Sequence, residues 1–332
     1  MRIAIVGVTG LVGQMTMRIL QERAVAIHEF IPVASSRSVG KSIEWNGQVH
    51  VIRSLEWAVN QRPDVAFFAA GSGVALEWAP RFAEVGTYVI DKSSAYRMQD
   101  NVPLVIPEIN AHKITDDTKI IASPNCSTSQ LVLALHPLEQ NFGLERVIVS
   151  TYQSMSGSGT AALDQYKAEQ SGAEMPPRVY AQQIYDNCLP HCDDFSTDGY
   201  TKEELKLICE TRKILDLPDL AITATAVRVP VTVGHSESVN VRLKQQFTLE
   251  YVRECLAAMP GVDILDNISQ NIYPTPLQAR GKDTTFVGRL RIDRSQDNSL
   301  HMWVVSDNLR KGAATNAVQI AEMLEKRLIV HH

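Results

Sequence analysis

The stretch RIAIVGVTGLVGQMTMRIL, Arg2 to Leu20, decides the fold. A short β-branched run comes first and reads as a buried parallel strand. Gly7, Gly10 and Gly13 follow in a turn, and Val12, Met15, Ile19 and Leu20 then recur at helical spacing. Glycine lets the backbone turn tightly, and the helix N-terminus presents free N–H groups to an anion such as a pyrophosphate. The spacing is G-x-x-G-x-x-G, not the usual dinucleotide fingerprint, so the bare pattern also fits a structural turn. Its place between an N-terminal strand and a helix favours nucleotide binding.

The alternation continues outward. FIPVASS, DVAFFAAG, TYVIDKSSAYR and TKIIASPN read as further strands, VALEWAPRFAEVG as a helix, and Asn46-Gly47 as a hairpin turn. Strands alternating with helices predict an open, mostly parallel sheet. After residue 145 the pattern changes. VIVSTYQS, ITATAVRVPV, SESVNVRLKQ, DTTFVGRLRID and LHMWVVSDN are strand-like, and Val239, Val241 and Leu243 alternate with polar residues, as in a sheet wet on one face. Such a sheet packs on helices or on a partner subunit. Helices are predicted at SGTAALDQYKAEQSG, TKEELKLICETRKIL and TLEYVRECLAAM, and RKGAATNAVQIAEMLEKRL closes the chain by returning to the first domain. The expected domains are 1–125 with 308–332, and 126–307.

A chain of 332 residues exceeds one ordinary core, which also argues for two domains. Hydrophobic residues at 45% and charged residues at 21% fit a soluble globular enzyme. A net charge of −5 gives no reason to expect nucleic acid or an anionic membrane, and no apolar run approaches a bilayer span. The chain opens on a strand rather than a secretory leader, and its five cysteines are scattered. The expected compartment is the reducing cytoplasm. The terminal His331-His332 pair, native or a tag remnant, carries no weight.

The end of the second strand indicates which dinucleotide. A carboxylate there would bind the ribose hydroxyls of NAD. Ser35, Ser36, Arg37 and Ser38 stand there instead and suit a 2′-phosphate, so NADP is expected. Gly71 to Gly73, after the third main strand, fit a close backbone approach to the cofactor or a plain tight turn.

SPNCSTSQ, Ser123 to Gln130, places Cys126 between a strand and a helix. A helix N-terminus favours negative charge and lowers a thiol pKa. Ser127 or Thr128 is the expected cap. Cys209 and Cys255 occupy core-like helix positions. Cys188, His191 and Cys192 cluster without a second ligand pair at zinc spacing, so no metal is expected. His235, after a glycine at a strand junction, is the best placed proton shuttle. Arg97 follows a parallel strand and Arg228 lies near a Gly-Pro-rich bend, and both suit anionic substrate groups. Glu203 and Lys206, at i and i+3, read by themselves as an exposed ion pair.

Together these residues resemble the aspartate-β-semialdehyde dehydrogenase family. The ordered motifs GVTGLVG, SSRSVGK, DKSSAYRM, VPLVIPEIN, SPNCST, TYQSMSGSG, RVPVTVGHSESV and NLRKGAATNAVQIAE span essentially the whole chain. The resemblance implies an α/β protein: a Rossmann-type NADP-binding domain plus an α+β catalytic and dimerisation domain with a mostly antiparallel sheet. It implies NADPH-dependent reduction of L-aspartyl-4-phosphate to the semialdehyde, reversible with inorganic phosphate, in a homodimer. Cys126 is then the nucleophile, His235 the acid/base and Gln153 the residue that orients the substrate. Arg228 holds the substrate carboxylate, and Arg97, Lys206 and Glu203 belong to the phosphate site. The cofactor residues are Gly7, Thr9, Gly10, Leu11, Val12, Gly13, Ser35, Ser36, Arg37, Ser38, Gly71, Ser156, Gly157 and, near the nicotinamide, Asn308. The sequence departs from the family pattern at Lys92 and Ser123, where the family usually has Asn, and at Leu205, where an aromatic is common. Two rivals remain at this point. One is an N-acetyl-γ-glutamyl-phosphate reductase-like enzyme, whose cysteine is usually framed by glycine and an aromatic rather than by Asn125, Ser127 and Thr128. The other is a divergent, non-catalytic dinucleotide-binding paralogue.

Overall fold

The computed structural model describes residues 1–174 and 176–330, with side chains as far as Lys326. His331 and His332 lie outside the described residues. In chain order the first part comprises β1 (Arg2–Val6), α1 (Leu11–Glu22), β2 (Glu29–Val33), the hairpin β3 (Ser42–Trp45) and β4 (Gln48–Val51), and α2 (Leu55–Asn60). It continues through β5 (Val65–Phe68), α3 (Ser72–Glu84), β6 (Tyr88–Asp91), α4 (Pro107–Asn110) and β7 (Ile120–Ala122). The second part comprises α5 (Cys126–Phe142), β8 (Leu144–Gln153), α6 (Thr160–Ser171), α7 (Lys202–Leu215), β9 (Ala221–Arg228) and β10 (His235–Leu243). It ends with α8 (Leu249–Ala258), β11 (Val262–Ile264), α9 (Pro276–Ala279), β12 (Thr285–Ile292) and β13 (Ser299–Ser306), before α10 (Thr315–Val330).

Two compact units result, one of Met1–Pro124 with 313–332 and one of Asn125–Gly312. In the first, β2-β1-β5-β6-β7 form a parallel sheet. The strand order reverses between β1 and β5, the kind of point at which open α/β sheets bind ligands. Ile3, Ile5, Leu20, Phe67, Ile90, Val318 and Leu324 belong to its core, and α10 lies against α1. Asn46 and Gly47 take φ of 51° and 72°, as a two-residue hairpin turn requires.

In the second unit the order is β11-β12-β13-β10-β8-β9. The inner pairings are antiparallel, as expected, but the pairs at both edges, β11 with β12 and β8 with β9, are parallel. The sheet is therefore mixed, because alternation along a strand reports which face is buried and not which way its neighbour runs. Helix α5 packs across β8, β10, β12 and β13, and α7 and α8 pack against α5. Leu131, Leu133 and Leu135 of α5 and Val149, Val239, Met302 and Val304 of the sheet are fully buried or nearly so.

Candidate active site

The glycine turn of the first unit is built for close backbone approach. Gly7 sits at φ +87°, and a Cβ there would lie 2.6 Å from the Ala69 carbonyl oxygen. A Cβ on Gly13 would lie 2.3 Å from the Gly7 oxygen. Helix α1 starts after Gly10 with no side-chain cap, so its first N–H groups are left for an anion. Thr9 is exposed, Leu11 and Val12 are half-buried, and Gly71 enters α3 at φ +89°. Ser35, Ser36 and Arg37 are exposed directly after β2, and Ser38 is half-buried. A backbone cradle that side chains would fill, an uncapped helix and an exposed arginine with hydroxyls fit a phosphorylated dinucleotide.

Arg97, also in this unit, is buried; its Nε donates to the Ser123 carbonyl at 3.0 Å and its Nη2 to the Lys92 carbonyl at 2.7 Å. Lys92 Nζ donates to Ser123 Oγ at 2.8 Å, and Asn316 Nδ2 donates to the same oxygen at 2.9 Å.

The second unit gathers the chemical groups at one end of its sheet. Gln153 and Arg228 are paired last residues of β8 and β9, and His235 opens β10 alongside. Cys126 is the first residue of α5. Its cap is Asn125, not Ser127 or Thr128 as expected: Asn125 Oδ1 accepts the Ser127 N–H at 2.9 Å. An asparagine directly before the helix was the available signal, because an N-cap reaches forward two or three residues.

Cys126 Sγ lies 3.2 Å from His235 Nε2. On the far side of the ring, the Ser154 backbone N–H donates to Nδ1 at 2.9 Å. A backbone N–H only donates, so Nδ1 is the acceptor and the neutral ring carries its proton on Nε2, facing the sulfur. Burial, and then the charge of Arg228, hold His235 well below the ordinary imidazole range. The pair is thus set up as a neutral N–H donor beside sulfur. Ser154 was missed in the sequence because its backbone, not its side-chain chemistry, does the orienting.

Gln153 Nε2 donates to Ser127 Oγ at 2.8 Å and to Glu203 Oε1 at 2.9 Å, which leaves Gln153 Oε1 without a hydrogen-bond partner among the described residues. Glu203 also accepts from Asn125 Nδ2 at 2.9 Å and pairs with Lys206 at 3.2 Å. The reading of Glu203 and Lys206 as an exposed pair is corrected here: Glu203 is only 7% exposed. Burial pushes its carboxyl up, but Lys206, Gln153 and Asn125 outweigh this and hold it below the usual range. Lys206 is bridged as well to Asp193 at 2.6 Å, and these carboxylates overcome its burial and raise its pKa.

Arg228 is buried, and its Nη1 donates to the Ser154 carbonyl at 2.7 Å. A Cβ on Gly157 would lie 3.1 Å from that Nη1 and 3.2 Å from His235 Nε2, so the glycine backs directly onto both. Ser156 is buried, and its hydroxyl accepts from Asn308 Nδ2 at 3.0 Å. Asn308 Oδ1 accepts from Ser154 Oγ at 3.0 Å and the Gly234 N–H at 2.9 Å, which ties together the two segments that hold His235. Gly312, absent from the sequence reading, packs so closely that a Cβ on it would sit 2.9 Å from Cys126 Cβ. A cavity of about 540 Å³, lined by Tyr180, Leu189, His191, Cys192 and Arg228 among others, opens beside Arg228. Burial pushes the Cys192 thiol up to about 12, so it stays a neutral thiol. Among the described residues no three His, Cys, Asp or Glu side chains gather as a metal would need, and no helix is long and apolar enough to cross a membrane.

Comparison with known proteins agrees with this layout. Residues 2–117 match the NAD binding domain of semialdehyde dehydrogenase, and 135–311 match its dimerisation domain. An aspartate-semialdehyde dehydrogenase of Aquifex aeolicus is 47% identical, covering 99% of both chains. The structure of aspartate semialdehyde dehydrogenase II from Vibrio cholerae complexed with ASA is 41% identical, with a TM-score of 0.93 over 98% of each chain. That of a Candida albicans aspartate semialdehyde dehydrogenase with NADP is 27% identical, with a TM-score of 0.77 over 99% of this chain and 100% of that one.

Proposed function

This chain belongs to the aspartate-semialdehyde dehydrogenase family, and on that premise we propose that it interconverts L-aspartyl-4-phosphate and L-aspartate-4-semialdehyde, with NADPH as reductant, in amino-acid biosynthesis. The observation that carries the reading is Cys126 at a helix start, 3.2 Å from an oriented His235, among Gln153, Arg228 and the Glu203–Lys206 pair. The turn from Gly7 to Gly13 would hold the pyrophosphate, and Arg37 with its serines the 2′-phosphate. Bound there, the dinucleotide supplies the hydride.

Cys126 as thiolate attacks the acyl carbon, the C–O bond to phosphate breaks, and a thioester remains on sulfur. When the reduced, tetrahedral carbon collapses to the aldehyde, Cys126 leaves as thiolate again. Neither event returns a proton to sulfur; the proton consumed overall ends on phosphate. His235 therefore acts by donating a hydrogen bond from Nε2 to the developing oxyanion. An imidazolium would turn a second N–H against that of Ser154. Arg228 and Lys206 receive the substrate's anionic groups, and Gln153 Oε1 is the remaining acceptor for orienting it.

We read the assembly as a homodimer in the cytoplasm. Tyr152 and Trp303, with ring centroids 5.2 Å apart on the sheet face away from α5, supply an apolar patch for the contact. The test is a spectrophotometric assay with purified protein, aspartate semialdehyde, NADP and phosphate. Nicotinamide reduction that requires phosphate is expected. Its absence, or turnover of the N-acetylglutamate semialdehyde instead, would overturn the reading.

A further inference from the structure

Behind the Cys126–His235 contact lies a second, buried row of polar groups. Gln130 is one turn along α5 from Cys126, and Glu237 is two residues along β10 from His235, so each shares its neighbour's face. Thr151 of β8 stands directly opposite Glu237. Ser306 of β13 stands opposite His235, and Thr285 of β12 comes next to Ser306 in register. All of these residues except Cys126 are fully buried. The side-chain polar atoms of Gln130, Thr151, Glu237, Thr285 and Ser306 have no full hydrogen bond to the protein among the described residues. Neither carboxyl oxygen of Glu237 has a hydrogen-bonded cation among the described residues. The titratable groups around it are Cys126 from α5 and His235 from its own strand, while β8, β12 and β13 present Thr151, Thr285, Val304 and Ser306.

A carboxylate in such a place is too costly to keep without a partner, whereas a neutral acid both donates and accepts. Buried groups of this kind satisfy one another directly or through internal water. We propose that Glu237 is a positioning residue, held as the neutral acid, that ties β10 to α5 beneath the nucleophile and its histidine. A negative charge there would work against the Cys126 thiolate and favour the imidazolium that Ser154 opposes. Burial, only partly offset by Gln130, pushes the Glu237 carboxyl well above the usual range, in keeping with that geometry.

The inference rests on the proposed reaction only for the roles of Cys126 and His235, and its test needs no turnover. Wild type, Glu237→Gln and Glu237→Met are compared by urea unfolding from acid to alkaline pH. Alkylation of Cys126 by iodoacetamide is followed in parallel on its own peptide. A carboxyl neutral in the folded chain and ionised in the unfolded one destabilises the fold as pH rises above about 4.3. The folding constant of wild type should therefore fall relative to Glu237→Gln by up to about tenfold per pH unit. Glu237→Gln should alkylate at the wild-type rate at neutral pH, while Glu237→Met should change that rate by about twofold to tenfold, the range of one lost hydrogen bond. Parallel stability profiles for wild type and Glu237→Gln would overturn the neutral acid. Slowed alkylation in Glu237→Gln, or none of the change expected in Glu237→Met, would overturn the positioning role.

Discussion

Gly157→Ala tests how tightly the groups around Cys126 are held in place. The added methyl carbon would stand 3.1 Å from Arg228 Nη1, 3.2 Å from His235 Nε2 and 3.3 Å from its Cε1. Comfortable carbon contacts begin near about 3.5 Å, so something must yield by a few tenths of an ångström. Neither neighbour is free to do so. Ser154 grips both, with its N–H on His235 Nδ1 at 2.9 Å and its carbonyl on Arg228 Nη1 at 2.7 Å. The ring must tilt away from Cys126 Sγ or the guanidinium must leave its carbonyl, and in either case the groups around the reacting carbon lose alignment. A full ångström of misplacement costs roughly a hundredfold in rate, so a few tenths should cost about tenfold. Two opposed terms set stability: the close contact costs free energy, while the loss of glycine freedom in the unfolded chain offsets part of it. Gly157 is exposed and outside the positive-φ region, where alanine typically adds about 0.4–1 kcal/mol by restricting the unfolded chain. Steady-state kinetics of phosphate-dependent semialdehyde oxidation, read with the thermal midpoint, decide the matter. A variant with kcat within about twofold of wild type would refute the claim that this contact sets the ring.

Three further outcomes are expected. Cys126→Ala abolishes turnover while NADP still binds by fluorescence titration; retained turnover would remove Cys126 as the nucleophile. Arg37→Ala weakens NADPH more than NADH, by about tenfold or more for a lost charge-assisted phosphate contact, and equal losses in KM would contradict the 2′-phosphate assignment. Glu203→Gln should cost about 1.5–3 kcal/mol in urea unfolding at neutral pH, the worth of a charge-assisted hydrogen bond. Because Glu203 is held below the usual range when folded, its contribution is complete above about pH 4.3 and fades as pH falls through the folded value. The variant should therefore lose stability less steeply than wild type toward acid, and identical acid limbs would show that the carboxylate is not paired in solution.

The nucleotide turn was legible in the sequence because everything it needs is local. Strand, glycines and helix lie within nineteen residues, Arg2 to Leu20, and each step has its own period or φ requirement. Cys126 was legible for a similar reason, since a strand end and a helix start flank it. What escaped is non-local. Glu203 looks exposed in KEELK, yet Asn125, 78 residues earlier, and Gln153, 50 residues earlier, close over it. The orientation of His235 depends on a main-chain N–H from another strand's end, which no side-chain pattern reveals. The burial of Glu237 was implicit in the alternation of Val239, Val241 and Leu243, because counting back by two from Val239 puts Glu237 and His235 on the same inner face.

Lys92 and Ser123 carry the same lesson in a sharper form. Taken separately, each stands where an asparagine is usual and looks like a loss near the nucleophile. Strands β6 and β7 run parallel with Asp91 beside Ala122, so the next residue of each, Lys92 and Ser123, fall side by side. The ammonium donates to the serine hydroxyl at 2.8 Å, and Asn316 from α10 donates to that oxygen as well. Meanwhile, the backbone that leads into Pro124 remains fixed by the Asp91 carbonyl accepting from the Ser123 N–H at 2.8 Å and by Arg97 on the Ser123 carbonyl. The two departures are one contact across a parallel pair of strands, and the segment entering the Cys126 helix is held by main-chain bonds that neither substitution disturbs.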